Sequence, residues 1–463
     1  MKRVLIITYY WPPSGGSGVQ RWLQMSKHLP KYGWQPVVYT TQNAEYPAVD
    51  HSLEIDVAPN MEVIRRPIIE PYGLYKKFLG IKKDETVKST SINEGRKKTS
   101  WREHLSIWIR GNLFIPDARR WWVRPSVRFL KQYLKTHPVD AIVSTGPPHS
   151  MHLIAMRLKA ALGIPWIADF RDPWTEIDYF QSLHLTRRSQ RRHRCMEHEV
   201  LTKADRVVTV APDGARRLEH LGANNVATIY NGFERSNVTP PAHRPSDRFS
   251  ILHLGVFTAI QNPDNLWQAL AELCQADQSF CKHLQINLTG QIDSRVVKSI
   301  EQRGISEKVS YSPYIPHSQV AQAHRSSTLL LLLLMPSSEP RAKGLLTGKL
   351  FEYLASGRPI LCIGPEDGDA AKIISETQAG YTIDFEDKEK MKDTIKLLYY
   401  KYLNKELPDN TNPKVECFSR RHLAGKYAEL LDNILCTAPL AMGHGHQYPT
   451  IVHPHIARTP RPK

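Results

Sequence analysis

The chain opens with a strand, a glycine-rich loop, a helix and a second strand in immediate succession, and this pattern restricts the fold more than any other feature. Val4 to Tyr9 is a mostly apolar run, which is typical of a strand buried on both faces of a parallel sheet. Apolar residues then recur at helical spacing at Val19, Trp22, Leu23 and Leu29. The opening therefore predicts one βαβ unit.

Short apolar runs separated by helical patterns continue along the chain in two series. The first series has candidate strands at residues 141–144, 165–168 and 207–210, with a helical pattern at 151–162. The second has candidate strands at residues 251–254, 284–288, 309–312, 329–334 and 360–363, with helices near 265–273 and 348–356. Strands that alternate with helices are typical of parallel α/β sheets.

A polar segment separates the two series. Residues 236–248 hold three prolines and no apolar periodicity, which is typical of an interdomain linker. We therefore predict an α/β fold of two Rossmann-like, doubly wound domains that face each other across a cleft, at residues 1–235 and 249–413. A last helix at 414–435 and a disordered tail at 437–463 follow, and we expect the tail's histidines to bind no ligand.

Composition excludes several classes of protein. The longest apolar run, Leu329 to Met335, is shorter than the roughly 18 residues that a membrane-spanning helix needs. The six cysteines form no C-x-x-C pair and no dense framework, so we expect neither a zinc ribbon nor a disulfide scaffold, and a reducing cytoplasm fits best. The formal net charge is +17, and residues 61–135 hold 18 Lys or Arg against 7 Asp or Glu. This segment predicts an anionic partner.

The same basic segment also carries several tryptophans. Tryptophans lie among arginines in this segment, as at Trp101, Arg119, Arg120 and Trp121. Such a pattern suits an acceptor-binding or anionic membrane face, since each cation near the surface adds about 1 kcal/mol and tryptophan prefers the interface. A solvated face with its aromatics packed inward is the alternative, and nucleic acid is the third. Arginines at 187–194 extend the patch or line a solvated helix.

Glycines between the first strand and the first helix favour two interpretations. Gly15, Gly16 and Gly18 lie where backbone N–H groups and the positive helix end bind a phosphate or a sugar. The spacing is not G-x-G-x-x-G, however, and a tight turn needs glycine for its backbone angles alone. Residue spacing leaves both interpretations open.

Six strings together are characteristic of one family. They are PPSGGSGVQRWLQMSKHLPKYGWQPVVYT near the start, STGPPHSMHLIA at 144–155, IADFRDPW at 167–174, ADRVVTVAPDGARRL at 204–218, IYNGFE at 229–234 and KLFEYLASGRPIL at 349–361. In this order, the chain resembles the family 4 nucleotide-sugar glycosyltransferases of the GT-B fold over roughly residues 1–435. The resemblance is specific for the family and not for the sugar.

The resemblance implies roles for individual residues. Glu352 matches the glutamate that binds the nucleotide ribose, and His149 matches the histidine beside the donor sugar. His149 and Asp172 are the expected catalytic residues, because both follow predicted strands at the carboxyl edge of the first sheet. For Asp169, Arg171 and Asp172 a structural ion-pair cluster is the alternative. The expected donor-binding set is Gly16, Gly255, Phe257, Arg341, Lys343, Lys349, Leu350 and Glu352.

Two positions depart from the family pattern. Gly344 occupies the place, eight residues before Glu352, where the family usually has a glutamate that contacts the donor sugar. Gln261 occupies the place of an arginine that neutralises the diphosphate. Loss of one charge-assisted phosphate contact costs about 1.5 to 3 kcal/mol unless it is replaced. Of the nearby cations, Arg341, Lys343 and Lys349 are the expected replacements.

The sequence Asp367-Gly368-Asp369 matches the D-x-D pattern that holds a divalent cation in another class of glycosyltransferase. It directly precedes a predicted helix, however, and an aspartate at a helix start caps the free N–H groups there. We therefore expect Asp369 to cap that helix, and we expect no metal requirement.

These observations predict a retaining glycosyltransferase without a metal or other cofactor. It moves a sugar from a nucleotide diphosphate sugar to a lipid-linked or envelope polysaccharide acceptor. We expect a cytoplasmic protein, peripheral on the inner face of the cytoplasmic membrane. The alternatives are a non-catalytic sugar-nucleotide or nucleic-acid binding protein and a sugar-nucleotide epimerase, although the paired acidic catalysts usual in epimerases are not evident.

Overall fold

A computed structural model of the protein describes residues 1–70, 101–234, 248–407 and 409–437. Nearly all of the linker predicted at 236–248 and of the tail predicted at 437–463 lies outside these residues. The described chain forms two parallel sheets covered by helices, which confirms the predicted fold class. No helix in the described ranges is long and apolar enough to cross a membrane.

The first sheet has seven parallel strands in the order β3-β2-β1-β4-β5-β6-β7. Its strands are β1 Lys2–Ile7, β2 Trp34–Thr41, β3 Glu62–Arg66, β4 Ala141–Gly146, β5 Trp166–Phe170, β6 Arg206–Thr209 and β7 Val226–Thr228. Leu5 of β1 lies opposite Val37 on one side and Ile142 on the other. All three are fully buried, because helices cover both faces of the sheet.

Six described helices accompany this sheet: α1 Ser17–His28, α2 Trp101–Leu113, α3 Arg120–Thr136, α4 Ser150–Leu162, α5 Arg187–Lys203 and α6 Pro212–His220. Side chains of α3, α4 and α5 form one apolar cluster with the sheet face of Leu5 and Ile7. Side chains of α1 form the cluster on the opposite face.

The second sheet has six parallel strands in the order β10-β9-β8-β11-β12-β13. They are β8 Phe249–Leu254, β9 Leu284–Thr289, β10 Val309–Ser312, β11 Leu329–Leu333, β12 Ile360–Ile363 and β13 Gly380–Ile383. The helices are α7 Asp264–Ala276, α8 Gln278–His283, α9 Ser294–Gln302, α10 His317–Ser326, α11 Gly348–Ser356, α12 Asp369–Glu376 and α13 Lys388–Leu403. The leucines of β11 are at most 1% exposed, so this strand lies in the middle of the core.

The last described helix, α14 Arg420–Thr437, returns to the first sheet. Its Leu423, Tyr427 and Leu431 belong to the same apolar cluster as α1, and the Tyr427 ring meets the Trp22 ring edge-on at 4.9 Å. Lys2 Nζ forms an ion pair with Asp432 at 2.6 Å. The chain therefore crosses from the first sheet to the second and back again.

Candidate active site

The carboxyl edges of the two sheets meet, and this contact positions the candidate site. The Asp213 N–H, at the start of α6, donates to Asp369 Oδ2 at the start of α12, at 2.8 Å. Arg217 Nη2 donates to the Pro340 carbonyl at 2.7 Å. The residues that follow the strands of both sheets therefore lie on either side of one cleft, where α/β folds bind ligands.

Gly344 lies in this contact between the sheets. A Cβ atom added at Gly344 would lie 2.7 Å from Asp213 Cβ and 2.7 Å from its Oδ2. No side chain fits there without moving the first sheet's helix α6. The glycine that departs from the family pattern thus has a packing reason, and the Asp213 carboxylate lies beside the position.

Two glycines of the glycine-rich loop, Gly16 and Gly18, are required for different structural reasons. Gly16 is the N-cap of α1 at φ 86°, a left-handed conformation that favours glycine, and it is exposed with open space around its Cα. Gly18 accepts a hydrogen bond from Arg171 Nη1 at 2.9 Å, and a Cβ there would lie 2.6 Å from the same nitrogen. The turn therefore requires glycine whether or not a ligand binds.

A buried ion pair fixes α1 to the edge of the first sheet. Arg21 Nε and Nη2 donate to the two carboxylate oxygens of Asp169 at 2.9 Å each, and both side chains are at most 1% exposed. Trp22 Nε1 also donates to Asp169, and Arg21 Nη1 donates to the carbonyls of Ile229 and Tyr230. Asp169 therefore has the structural role given above as the alternative. Arg21 was not predicted as part of the site, and its signal is a cation beside buried Trp22 on the apolar face of α1.

Asp172, the second predicted catalytic residue, follows this pair at the sheet edge. Its carboxylate accepts from Arg171 Nε at 3.3 Å and Nη2 at 3.2 Å, and its side chain is 45% exposed. Asp172 thus remains accessible at the edge of the sheet, unlike the buried Asp169.

His149 lies one residue before α4 and is buried. Its ring stacks on the Trp174 ring with centroids 4.7 Å apart. Burial, with the nearby charges of His152, His193 and Arg171, holds the pKa of His149 well below its usual value. The imidazole is therefore neutral at pH 7 and offers hydrogen bonds rather than a positive charge.

A hydrogen-bond chain behind His149 indicates which ring nitrogen of the neighbouring His152 carries the proton. Trp166 Nε1 can only donate, and it donates to Ser144 Oγ at 2.8 Å, which lies 2.8 Å from His152 Nδ1. We assign the Ser144 hydroxyl proton to that second contact, which puts the His152 proton on Nε2. A Cβ at Gly146 would lie 2.5 Å from His152 Nε2 and 2.8 Å from His149 Nδ1, so the two rings border the same point.

On the second sheet, Lys349 of α11 lies against the glycine that ends β8. A Cβ at Gly255, whose φ is 123°, would lie 2.9 Å from Lys349 Nζ, and this ammonium is 3.4 Å from the Val256 carbonyl. Burial lowers the pKa of Lys349, while the Glu352 carboxylate raises it. A cation thus stands at the strand end where the predicted phosphate contact is needed.

Gln261 does not reach the cleft as a phosphate ligand. Its Oε1 accepts from the N–H and the hydroxyl of Thr258, at 3.2 and 3.0 Å, and its Nε2 donates to the Leu333 carbonyl at 3.2 Å. The amide oxygen closes the loop after β8, and the amide nitrogen ties this loop to β11. Lys349 is therefore the better placed of the three proposed replacements.

Glu352 lies one turn further along α11 and is partly exposed. Its charge acts on two cations from different elements, Lys349 on the same helix and Arg420 at the start of α14. Burial lowers the pKa of Arg420, and the carboxylates of Glu234 and Glu352 oppose that effect. Glu352 thus lies where the second sheet meets the returning helix.

The remaining predicted donor-binding residues lie in different environments. Leu350 and Phe257 are at most 1% exposed and pack in the cores beside the second sheet, so they support the loops rather than line the cleft. Lys343 forms an exposed ion pair with Asp367, at 2.5 Å. Arg341 precedes a short 3-10 turn at Ala342–Gly344.

The D-x-D segment has a structural explanation different from the predicted one. Gly368, not Asp369, is the N-cap of α12, and the Asp369 carboxylate accepts from the Asp213 N–H of the other sheet's helix. The expectation that Asp369 caps its own helix is therefore wrong. Its position inside the contact between the sheets takes the carboxylate away from its own backbone. Among the described residues, no group of three or more acidic, histidine or cysteine side chains could hold a metal ion.

The residues predicted for the acceptor or membrane face differ in their exposure. The Arg119 side chain is only 11% exposed, pairs with Glu70 at 3.0 Å and donates to the Tyr9 hydroxyl at 2.9 Å. Arg120 is partly exposed, and Trp121 is 50% exposed. Trp101 begins α2, and its side chain lies outside the described part of the structure.

Two family models match the chain. One, described as a glycosyl transferase 4-like domain, matches residues 96–232, and the other, described as glycosyl transferases group 1, matches residues 236–413. The D-inositol 3-phosphate glycosyltransferase 1 of Catenulispora acidiphila is 29% identical over 154 residues, which are 29% of this chain and 37% of that protein. The match therefore spans little more than a third of the curated relative.

Solved structures resemble the whole fold. The sucrose-phosphate synthase of Thermosynechococcus elongatus matches 94% of this chain and 100% of that one, at 13% identity and a TM-score of 0.59. The Anabaena protein HepE, solved in complex with UDP, matches 94% of this chain and 100% of that one, at 13% identity and a TM-score of 0.55. At this identity the likeness shows the fold alone.

The two facing parallel sheets, with a helix that returns from the second to the first, define a GT-B architecture. The two family models together match more than half of the chain. The chain belongs to the family 4-like glycosyltransferases of the GT-B fold, as the sequence motifs predicted.

Proposed function

We propose that the protein transfers a sugar from a nucleotide diphosphate sugar to an acceptor held by the first domain, with retention of anomeric configuration and without a metal ion. The observation that carries the proposal is the position of Glu352. This carboxylate lies where the second sheet meets the returning helix α14, close to Lys349 and Arg420. A carboxylate there accepts hydrogen bonds from both ribose hydroxyls of a nucleotide.

Lys349 supplies the positive charge for the diphosphate in this proposal. Its ammonium lies against Gly255, where the absence of a side chain lets a phosphate approach the backbone. As the bond to the sugar breaks, negative charge grows on the leaving diphosphate, and a fixed cation in a partly dry site stabilises that charge. The Gln261 amide is bonded to Thr258 and to the Leu333 carbonyl, so Lys349 takes the place of the family arginine in this proposal.

His149 contributes position rather than charge. It is neutral and held by Trp174 on one side, so it binds a sugar hydroxyl as a hydrogen-bond partner. Asp172 lies exposed at the same sheet edge and is the group available to the acceptor or the sugar. The curated relative's name specifies a phosphorylated inositol as acceptor, and here we propose a lipid-linked or envelope glycan acceptor at an anionic membrane surface.

Turnover assays test this proposal. Purified protein would be incubated with UDP- and GDP-sugars, with and without a membrane extract as acceptor source, and release of nucleoside diphosphate measured. We expect release that depends on the extract, survives EDTA and is lost in Glu352→Gln. Glu389→Gln, at a side chain 72% exposed on α13, is the matched control and keeps full activity.

A non-catalytic nucleotide-sugar binding protein is the second candidate. The observation in its favour is that Gly344 is packed against Asp213, which leaves no room for the glutamate that the family pattern places there. Binding of a nucleotide diphosphate sugar without any release, in the presence of every extract, would favour this candidate over transfer.

A further inference from the structure

A pocket on the helical layer of the first domain has no role in the proposed sugar transfer. Its volume is about 390 Å³, and helices α3, α4 and α5 border it. Four arginines line it: Arg120, Arg124, Arg157 and Arg192. We call these residues and their cavity the arginine pocket.

The floor of the arginine pocket is apolar. Ile115, Val123 and Leu153 line it and are between 2% and 5% exposed. Trp121 is half exposed at the opening, and its ring meets Phe114 edge-on with centroids 5.6 Å apart. Cations around an apolar floor, with a tryptophan at the opening, suit a ligand that is anionic at one end and apolar at the other.

The described protein groups balance the positive charge in the pocket only in part. Within the described ranges, none of the four arginines forms an ion pair with a carboxylate. Asp117, whose charge raises the pKa of Arg120, accepts from the N–H and the hydroxyl of Ser150 at the start of α4. The pKa of Arg120 is lowered by burial and then by the charges of Arg192 and Arg124, so these cations repel one another.

Convergent arginines without carboxylates are a chemically specific arrangement. The guanidinium group presents a planar fork of donors that matches phosphate oxygens, and such bonds are stronger than neutral ones. A bound phosphoryl group would remove the repulsion between the arginines. Arg124, Arg157 and Arg192 are exposed, so a ligand can reach them from solvent.

We propose that the arginine pocket binds a phosphoryl group joined to an apolar chain, and that its source is the headgroup of an anionic lipid. The pocket narrows the proposed membrane contact to one site on the first domain. The side chains that line the pocket lie outside the donor cleft, so lipid binding there does not depend on sugar transfer.

Vesicle binding by two matched double variants tests the inference. The pocket variant is Arg124→Gln with Arg192→Gln, and the control is Arg128→Gln with Arg191→Gln, which removes the same charge from exposed positions on the same two helices outside the pocket. Sedimentation with vesicles of phosphatidylglycerol in phosphatidylcholine gives the affinity. We expect the pocket variant to bind about tenfold or more weaker than the control, since it alone loses directed phosphate bonds.

Further arms separate the possible ligands. Titration with inorganic pyrophosphate, at constant ionic strength, tests a soluble source; if only pyrophosphate binding distinguishes the two variants, the lipid assignment is overturned. Equal weakening of vesicle binding in both variants overturns the pocket and leaves only a diffuse basic face. Salt-sensitive RNA binding that only the pocket variant loses also overturns it. Retained nucleotide binding by both variants shows that they fold and that the donor site is separate.

Discussion

Arginines of the first domain occur in two environments that the sequence does not distinguish. Arg21 is buried and Arg119 is mostly buried, and each is bonded to a carboxylate, Asp169 and Glu70 respectively. The arginine pocket holds four others, none of which forms an ion pair with a carboxylate of the described part of the chain. The buried pairs hold helices to the sheet, whereas the pocket leaves its charge available to a ligand. A high net charge therefore indicates a partner only where the cations lack protein counter-ions.

Breaking the buried pair is expected to have the largest effect. Asp169→Ala leaves the Arg21 guanidinium buried without a counter-charge, which costs about 3 to 5 kcal/mol of stability. The midpoint of chemical unfolding measures this loss. Arg124→Ala in the pocket is the comparison and should change stability by no more than about 0.5 kcal/mol. Similar losses at the two sites would remove the distinction between them.

Lys349→Ala should weaken nucleotide binding next most strongly. Removal of one charge-assisted contact to a diphosphate costs about 1.5 to 3 kcal/mol, or roughly ten- to a hundredfold in affinity. Calorimetric titration with the nucleotide that the wild type binds gives the change. An unaltered affinity would contradict the assignment of this lysine to the diphosphate.

Gly344→Ala tests how tightly the two sheets meet. The new Cβ would lie 2.7 Å from Asp213 Cβ, so the contact must open. We expect a loss of about 1 to 3 kcal/mol in thermal unfolding, as for overpacked cores. The double variant Gly344→Ala with Asp213→Gly removes the clash. It should therefore be little less stable than Asp213→Gly alone. Additive losses in the double variant would show that the contact does not limit residue 344.

The buried histidines predict how stability depends on pH. Burial lowers the pKa of His152 to about 3, from an ordinary value near 6.5. Between these values the unfolded chain binds a proton that the folded chain does not, so stability falls as pH drops below about 6.5, by about 1.4 kcal/mol per pH unit for this group. Thermal unfolding of His152→Asn should show a shallower slope, and a slope equal to wild type would contradict the neutral buried imidazole.

Lys343→Ala should have the smallest effect. Its ion pair with Asp367 is exposed on both sides, so water replaces it. We expect no measurable change in the unfolding temperature or in nucleotide affinity, in contrast to Lys349→Ala. A loss of affinity in Lys343→Ala would place the diphosphate beside Lys343 rather than Lys349.

Much of the fold was predictable because buried parallel strands have simple patterns. The strands at 309–312 and 360–363 and the helix at 348–356 were predicted with their observed bounds. Three strands were missed, β3, β7 and β13, and all lie at or next to sheet edges. Edge strands are only partly buried, so Glu62–Arg66 carries charges where an inner strand carries leucines.

The candidate site was less predictable, because it depends on contacts between residues far apart in the chain. The positions of Glu352 and Lys349 on one helix followed from the motif, but their approach to Arg420 needs the return of α14. Burial of Arg119 and the use of Asp369 by Asp213 also depend on the packing of distant segments. Residue type and spacing alone predict neither the environment of Arg119 nor the contact between Asp369 and Asp213.

Calorimetric titration with UDP and with GDP tests the central claim most directly, with wild type, Glu352→Gln and the control Glu389→Gln side by side. The account predicts that one nucleotide binds wild type and the control equally, and that Glu352→Gln loses about tenfold or more of that affinity. Binding that is unchanged in Glu352→Gln, or no binding of either nucleotide at millimolar concentration, would contradict a nucleotide site at this carboxylate.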